Sequence, residues 1–235
     1  MPGPLFVHRL QIALLLALFP ARLFARLHAL PWYEALLRDW QADFPTPRGA
    51  STGAILELGC GPGRFSRYLA TRVAAGGGRV EALDKDPAMI ARARQDFGAV
   101  DNLTFLRGDA LDVARPDGAY DLVVAASLLN LVAAPARLIA EMCRLVRPGG
   151  GLAVLIPTPH FDAQQADRLV RRLRLAGFSA AALAAWARSA PSMAPTEARR
   201  LFAEAGLTDI HVHRYLDGAI AGLSGVMPGC GTPPL

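Results

Sequence analysis

Four residues set the chemistry that this chain could do. Glu57, Gly59, Gly61 and Gly63 stand in the order E-x-G-x-G-x-G. Apolar Ala54-Ile55-Leu56 precede them, and Phe65, Leu69 and Val73 follow at near-helical spacing. That pattern is a buried strand, a glycine turn and a helix start. Glycines belong where backbone takes a positive φ or meets a ligand with no side chain between. A helix starting near Arg64 aims its free N–H groups back at the turn. Such a turn would fit a nucleotide-like cofactor; a tight glycine turn in some other α/β protein is the alternative. A dinucleotide site is written G-x-G-x-x-G, whereas here a carboxylate stands in the strand. Glu57 suits a cofactor with an amino group and positive charge better than one with pyrophosphate.

The other candidates fall where successive strands should end. Arg79 to Leu83 reads as the second strand, with Asp84 and Lys85 at its end. An acid about 20 residues past a glycine turn can accept hydrogen bonds from ribose hydroxyls. Asp86 then caps a helix that opens with Pro87. Leu103 to Leu106 is the third strand, followed by Asp109 and Ala110. Leu122 to Ala126 is the fourth, followed by Ser127 and Asn130. Leu152 to Ile156 is the fifth, and His160 leaves it. Ligands of open parallel sheets bind outside these carboxyl ends. His160 can titrate near neutrality and is the best-placed base by sequence; a solvated loop histidine is the alternative. Asn130 could position an acceptor oxygen or only bond its own turn. Trp32 and Tyr33 could stack on an aromatic acceptor or pack in the core.

These motifs carry a family resemblance. Residues 54–70 (AILELGCGPGRFSRYLA) strongly resemble the first motif of class I S-adenosylmethionine (SAM) dependent methyltransferases. LDKDPAMIARAR at 83–94 resembles their second motif, and EMCRLVRPGGGLAVLIP at 141–157 their segment before and through the fifth strand. EAGLTDIHVHRYLDGAIAGLSG at 204–225 resembles the end of the ubiquinone/menaquinone C-methyltransferases, and Asn130 matches an asparagine of that group. The resemblance weakens over 157–195, where the acceptor would be read. It implies an α/β, Rossmann-like, doubly wound seven-stranded sheet, mostly parallel with an antiparallel last strand. It implies SAM as cofactor, held by Glu57, Gly59, Cys60, Gly61, Gly63, Asp84, Lys85, Asp109, Ala110 and Ser127. Asp109 would meet the adenine amino group and the Ala110 N–H a ring nitrogen. Methyl transfer would use His160 and Asn130 on the acceptor side, with no metal.

The acceptor expected is a small lipophilic or aromatic molecule of quinone or isoprenoid type. A membrane lipid, a small thiol, or a SAM-binding partner without turnover are the alternatives. Ser127-Leu128-Leu129-Asn130 is not the Asn/Asp-Pro-Pro-Tyr run of amino-group methylation of DNA bases or protein glutamine. No carboxylate cluster suits metal-dependent catechol chemistry.

The rest of the chain must position these groups. Residues 1–48 read as amphipathic helices split by Pro20 and Pro31, and 49–235 as the catalytic domain with a helical insert at about 160–192. Pro45 to Gly49 is the linker. The first segment reads as a lid, with a membrane-surface role for residues 5–30 as its rival. Its unbroken apolar run, Ile12 to Phe19, is shorter than the roughly 20 residues of a span, and Pro20 to Leu23 is a poor signal cleavage site. The 25 basic and 20 acidic residues give +5, mostly from arginines on helix faces. Without interleaved aromatics or a lysine tail, that argues against nucleic acid. Three cysteines without metal spacing fit a reducing, cytoplasmic compartment, peripheral on the inner membrane face if residues 5–30 bind it. A small-molecule acceptor is the expected partner, and homodimerisation stays open.

Overall fold

The computed structural model describes residues 4–45 and 53–229. The expected linker falls, from residue 46 on, outside the described residues, as does the boundary expected at 48/49.

Three helices come first: α1 (Pro4–Leu18), α2 (Pro20–His28) and α3 (Pro31–Ala42). Pro20 and Pro31 sit in the first turns of α2 and α3, where a missing N–H costs nothing. The core alternates β1 (Ala54–Leu58), α4 (Arg64–Ala74), β2 (Arg79–Asp84), α5 (Pro87–Phe97), β3 (Leu103–Arg107), β4 (Tyr120–Ala126), α6 (Pro135–Leu145) and β5 (Val146–Pro157). Then come α7 (Ala163–Arg172), α8 (Gly177–Ser189), α9 (Pro195–Glu204), β6 (Thr208–Tyr215) and β7 (Ile220–Val226).

The seven strands form one sheet in the order β3-β2-β1-β4-β5-β7-β6. β1 to β5 pair in parallel; β7 runs antiparallel to both β5 and β6. The order reverses between β1 and β4, so the carboxyl ends of these strands border a crevice. Every residue of β1 is buried, as a strand covered on both faces requires. Asp121 at the start of β4 fixes β1: its Oδ2 accepts the N–H of Ala54 at 2.9 Å, and its Oδ1 pairs with Arg147 at 2.6 Å.

The first and last parts of the chain meet. Trp40 of α3 is buried, stacks on Phe65, and packs so closely on β7 that a Cβ at Gly222 would lie 2.7 Å from its ring. The Tyr215 hydroxyl donates to Asp43 at 2.5 Å.

One boundary differs from expectation. β5 starts at Val146 rather than Leu152, because Val146 pairs with Tyr120 and the Gly149 N–H donates to Met227 across the sheet. Ala194 is the cap residue of α9, with Pro195 at its first turn, so Thr196 lies inside the helix. β7 starts at Ile220; Leu216–Gly218 form a 3-10 turn. The expected insert is two helices, α7 capped by the Asp162 side chain, which accepts the Gln165 N–H at 2.7 Å.

Candidate functional site

The glycine turn is held from β2. The N–H groups of Gly59 and Cys60 both donate to the Leu83 carbonyl, at 2.8 and 3.0 Å. Asp84 then reaches across: its Oδ2 accepts the Gly61 N–H at 2.8 Å and its Oδ1 the Asp86 N–H at 2.9 Å. Each oxygen keeps a lone pair for a hydroxyl. Gly63 is left-handed at φ 81° and serves as the cap residue of α4.

Glu57 lies beneath the turn, 1% exposed, and accepts the Ser66 hydroxyl at 2.6 Å. Burial pushes its carboxyl up to about 8; the Ser66 bond opposes the shift and the Asp84 charge adds to it. Burial likewise raises the Cys60 thiol, and Glu57 and Asp84 push the same way. Cys60 is therefore a packed thiol, not a nucleophile.

The N-terminal helices cover this turn. His28 at the end of α2 lies over Gly61, where a Cβ would stand 3.7 Å from its ring. It stacks on Tyr33 with centroids 4.9 Å apart. Burial, and then the Arg64 charge, push its pKa down to about 4, so the ring is neutral near pH 7. Burial and the nearby Glu57 raise the Tyr33 hydroxyl, which stays protonated. The aromatic contacts continue from Tyr33 to Trp186 of α8, and from Trp186 to Trp32 and Phe161. Two polar ties join the pieces: Trp32 Nε1 donates to Ser179 at 3.0 Å, and Arg64 pairs with Glu34 at 2.8 Å.

The residues singled out by sequence fall in different places. Glu57, Gly59, Cys60, Gly61, Gly63 and Asp84 surround the turn. Ser127 is strained at φ 54°, and its buried Oγ has no hydrogen-bond partner. Asn130 Nδ2 donates to the Pro191 carbonyl at 2.9 Å, tying the β4 loop to the segment after α8, while its buried Oδ1 lacks a partner. Asp109 is exposed and accepts the Leu111 N–H at 2.9 Å, beside half-buried Ala110. Lys85 is exposed. His160 is exposed as well, and the side chain of its turn that points inward is Phe161. Tyr33 and Trp32 are 8% exposed and pack against Trp186 in the core cluster. The sequence does not single out His28, Ser66 or Phe161 for the site. Ser66 stands in the first turn of α4, and only the tertiary fold brings His28 over the turn and Phe161 against Trp186.

His28 Nδ1, Ser127 Oγ and Asn130 Oδ1 are thus buried polar atoms without partners among the described residues, at the carboxyl end of the sheet. Buried polar atoms are nearly always satisfied, so this end of the molecule fits a polar ligand. Beside a paired carboxylate and a left-handed glycine turn, that ligand fits the adenosyl and amino-acid portions of SAM.

Residues 55–150 match the profile described as a methyltransferase domain. That stretch is a methyltransferase domain. The methyltransferase core is 36% identical to a trans-aconitate 2-methyltransferase of an Acidovorax species, over 62% of this chain and 50% of that protein. It is 39% identical to the 2-phytyl-1,4-naphtoquinone methyltransferase of Thermosynechococcus vestitus, over 52% of each. The chain spans about half the length of the curated relatives it matches. Among solved structures, the CurJ carbon methyltransferase superposes with a TM-score of 0.64 at 13% identity, over 92% of this chain and 61% of that one. That likeness speaks to the fold alone.

Proposed function

We propose that this protein binds SAM on the β1–α4 turn and transfers its methyl group to a small lipophilic or aromatic acceptor. The observation that carries the reading is the Asp84 clamp on Gly61 within the E-x-G-x-G-x-G turn. Bound there, SAM supplies a methyl group already activated on a sulfonium. Asp84 accepts the ribose hydroxyls, and Asp109 with the Ala110 N–H takes the adenine edge. Glu57, Gly59, Cys60, Gly61, Gly63 and Ser127 hold the amino-acid end. Exposed Lys85 flanks the ribose.

Little covalent help is needed beyond alignment and exclusion of water. The rings of Tyr33, Trp32, Trp186 and Phe161 favour an apolar, planar acceptor beside the turn, and α1–α3 act as its lid. Asn130 positions the acceptor through the loop it ties to Pro191. His160 takes a proton from a substrate that reaches the rim. The naphthoquinone methyltransferase among the relatives supports the same acceptor class, whereas the trans-aconitate enzymes argue for a polar one. Among the described residues no helix is long and apolar enough to cross a membrane.

Calorimetric titration with SAM and S-adenosylhomocysteine tests the cofactor. A panel of hydroquinones, phenols, thiols and tricarboxylates with labelled SAM tests the acceptor. Micromolar binding and label in a hydroquinone or phenol support the reading. Label in a tricarboxylate alone overturns the acceptor class, and binding of NADH in place of SAM overturns the whole.

A further inference from the structure

α1 is apolar on two opposite faces, and the chain covers one of them. Ile12 is buried, with Leu15 packed beside it, in a cluster with Leu23 and with Phe178, Ala181 and Ala182 of α8. Val7, Leu10, Leu14 and Leu18 recur at i, i+3, i+7 and i+11 on the far side and are 58, 62, 57 and 59% exposed. Leu16, on the other side of the helix, and Phe19, just past its end, are exposed as well, so this segment holds six of the eight large apolar side chains exposed among the described residues. An apolar helix face this continuous marks an interaction surface.

The charge beside it has one sign. Residues 1–33 contain Arg9, Arg22 and Arg26 and no Asp or Glu. The Arg22 guanidinium lies 5.0 Å from the Phe19 ring, which joins the basic edge to the apolar stripe. Neither Arg22 nor Arg26 has a carboxylate partner among the described residues. With Arg64 and Arg92 they line a cavity of about 260 Å³. The acid lining it, Asp96, is held by Arg92 at 2.7 Å.

We propose that this face docks on an anionic lipid bilayer. α1 lies in the plane of the interface with Val7, Leu10, Leu14 and Leu18 against the acyl boundary, and the cleft of Arg22 and Arg26 takes a lipid phosphate. At about 1.5 Å per residue, 15 residues reach roughly 22 Å, a surface helix and not a span. Charge decides against a second copy as the occupant. Two such faces would press like-charged arginines together, and the acid of the cleft, Asp96, is already held by Arg92, whereas an anionic surface complements them. The cleft also borders Pro62 and Arg64 of the cofactor turn, so a docked molecule holds its site beside the lipid. That last step rests on the proposed function; the docking does not.

The full chain is floated with vesicles of phosphatidylcholine alone and of phosphatidylcholine with phosphatidylglycerol. Strong binding to the anionic vesicles only, weakened by salt, is expected. Arg22→Glu reverses one charge. At roughly fivefold per basic residue, it weakens partitioning by about twenty-five-fold. Leu10→Ser/Leu14→Ser removes two inserted side chains at exposed positions and weakens it by about tenfold or more. Melting temperature and SAM titration of each variant stay at parent values, which separates failure of docking from failure of the cofactor reading. Equal partitioning of parent and variants, or equal binding to both vesicle types, overturns the proposal. So does a concentration-dependent dimer abolished by Leu10→Ser/Leu14→Ser in the absence of vesicle binding, which would give the face to a second copy.

Discussion

The carboxylate of Asp84 holds the N–H of Gly61 at 2.8 Å, across 23 residues of sequence. The same group that would bind ribose therefore shapes the turn that would bind the rest of the cofactor. Asp84→Ala removes both effects and is expected to weaken SAM binding by at least tenfold, or about 1.4 kcal/mol. Asp84→Asn keeps one acceptor oxygen and should fall between. Calorimetry reads the difference; unchanged affinity in Asp84→Ala would remove this residue from the site.

Two buried groups with opposite shifts shape the pH dependence of stability. Glu57, raised to about 8 from 4.5, binds its proton in the folded state when the unfolded chain has lost it, so its contribution falls as pH rises from about 4.5 to 8. His28, lowered to about 4 from 6.5, does the reverse, and its contribution falls as pH drops from about 6.5 to 4. The two slopes cancel between about 4.5 and 6.5, and that of Glu57 stands alone above. Denaturation midpoints of the cofactor-free protein should decline from pH 6.5 to 8. Glu57→Gln, which can still accept the Ser66 hydroxyl, should abolish that decline, and His28→Phe should extend it down towards pH 4.5.

Asp121 is 3% exposed and serves both Arg147 and the Ala54 N–H. Asp121→Ala strands a guanidinium and a buried N–H at the start of β1. Breaking a buried pair from one side costs about 3–5 kcal/mol. Arg147 is partly solvated, so urea denaturation should read the lower end.

The glycines of the turn serve different ends. A Cβ at Gly63 would stand 2.7 Å from the Phe105 ring and 2.9 Å from Ala93, on top of a φ of 81°. Gly61→Ala strains a left-handed residue (φ 54°) but meets only His28, at 3.7 Å. Gly63→Ala should lower the melting temperature by several degrees more than Gly61→Ala. Gly61→Ala should chiefly weaken SAM binding.

Local signals made the sheet legible. The apolar runs at 54–56 and 122–126 and Pro87 after a capping Asp86 each act within a few residues. β5 extends further back than its sequence suggests because Pro148 and three glycines mimic a turn, and only the pairing of Val146 with Tyr120 and of Gly149 and Gly150 with Met227 keeps the segment extended. Asp84 was legible because its distance from the turn is set by one strand–helix unit. His28 was not: it lies 33 residues before Gly61 in sequence, and no periodicity announces that α2 folds back over the turn. Phe161 was hidden likewise, since its contact with Trp186 depends on the packing of the insert against α3. His160 drew attention by residue type, but the turn after β5 sends Phe161 inward in its place.

Trp40 rests on Gly222, and Asp43 accepts from Tyr215 across 172 residues. The first helices leave the ribosome long before the strands that seat them. At about 5–20 residues per second, that interval is roughly 10–35 s. For that time Trp40, Leu36 and Leu37 have no sheet to cover them, so the nascent chain carries sticky helices that chaperones must shield. A chain truncated before β7 should stay bound to such a chaperone, whereas one extended past Val226 is released.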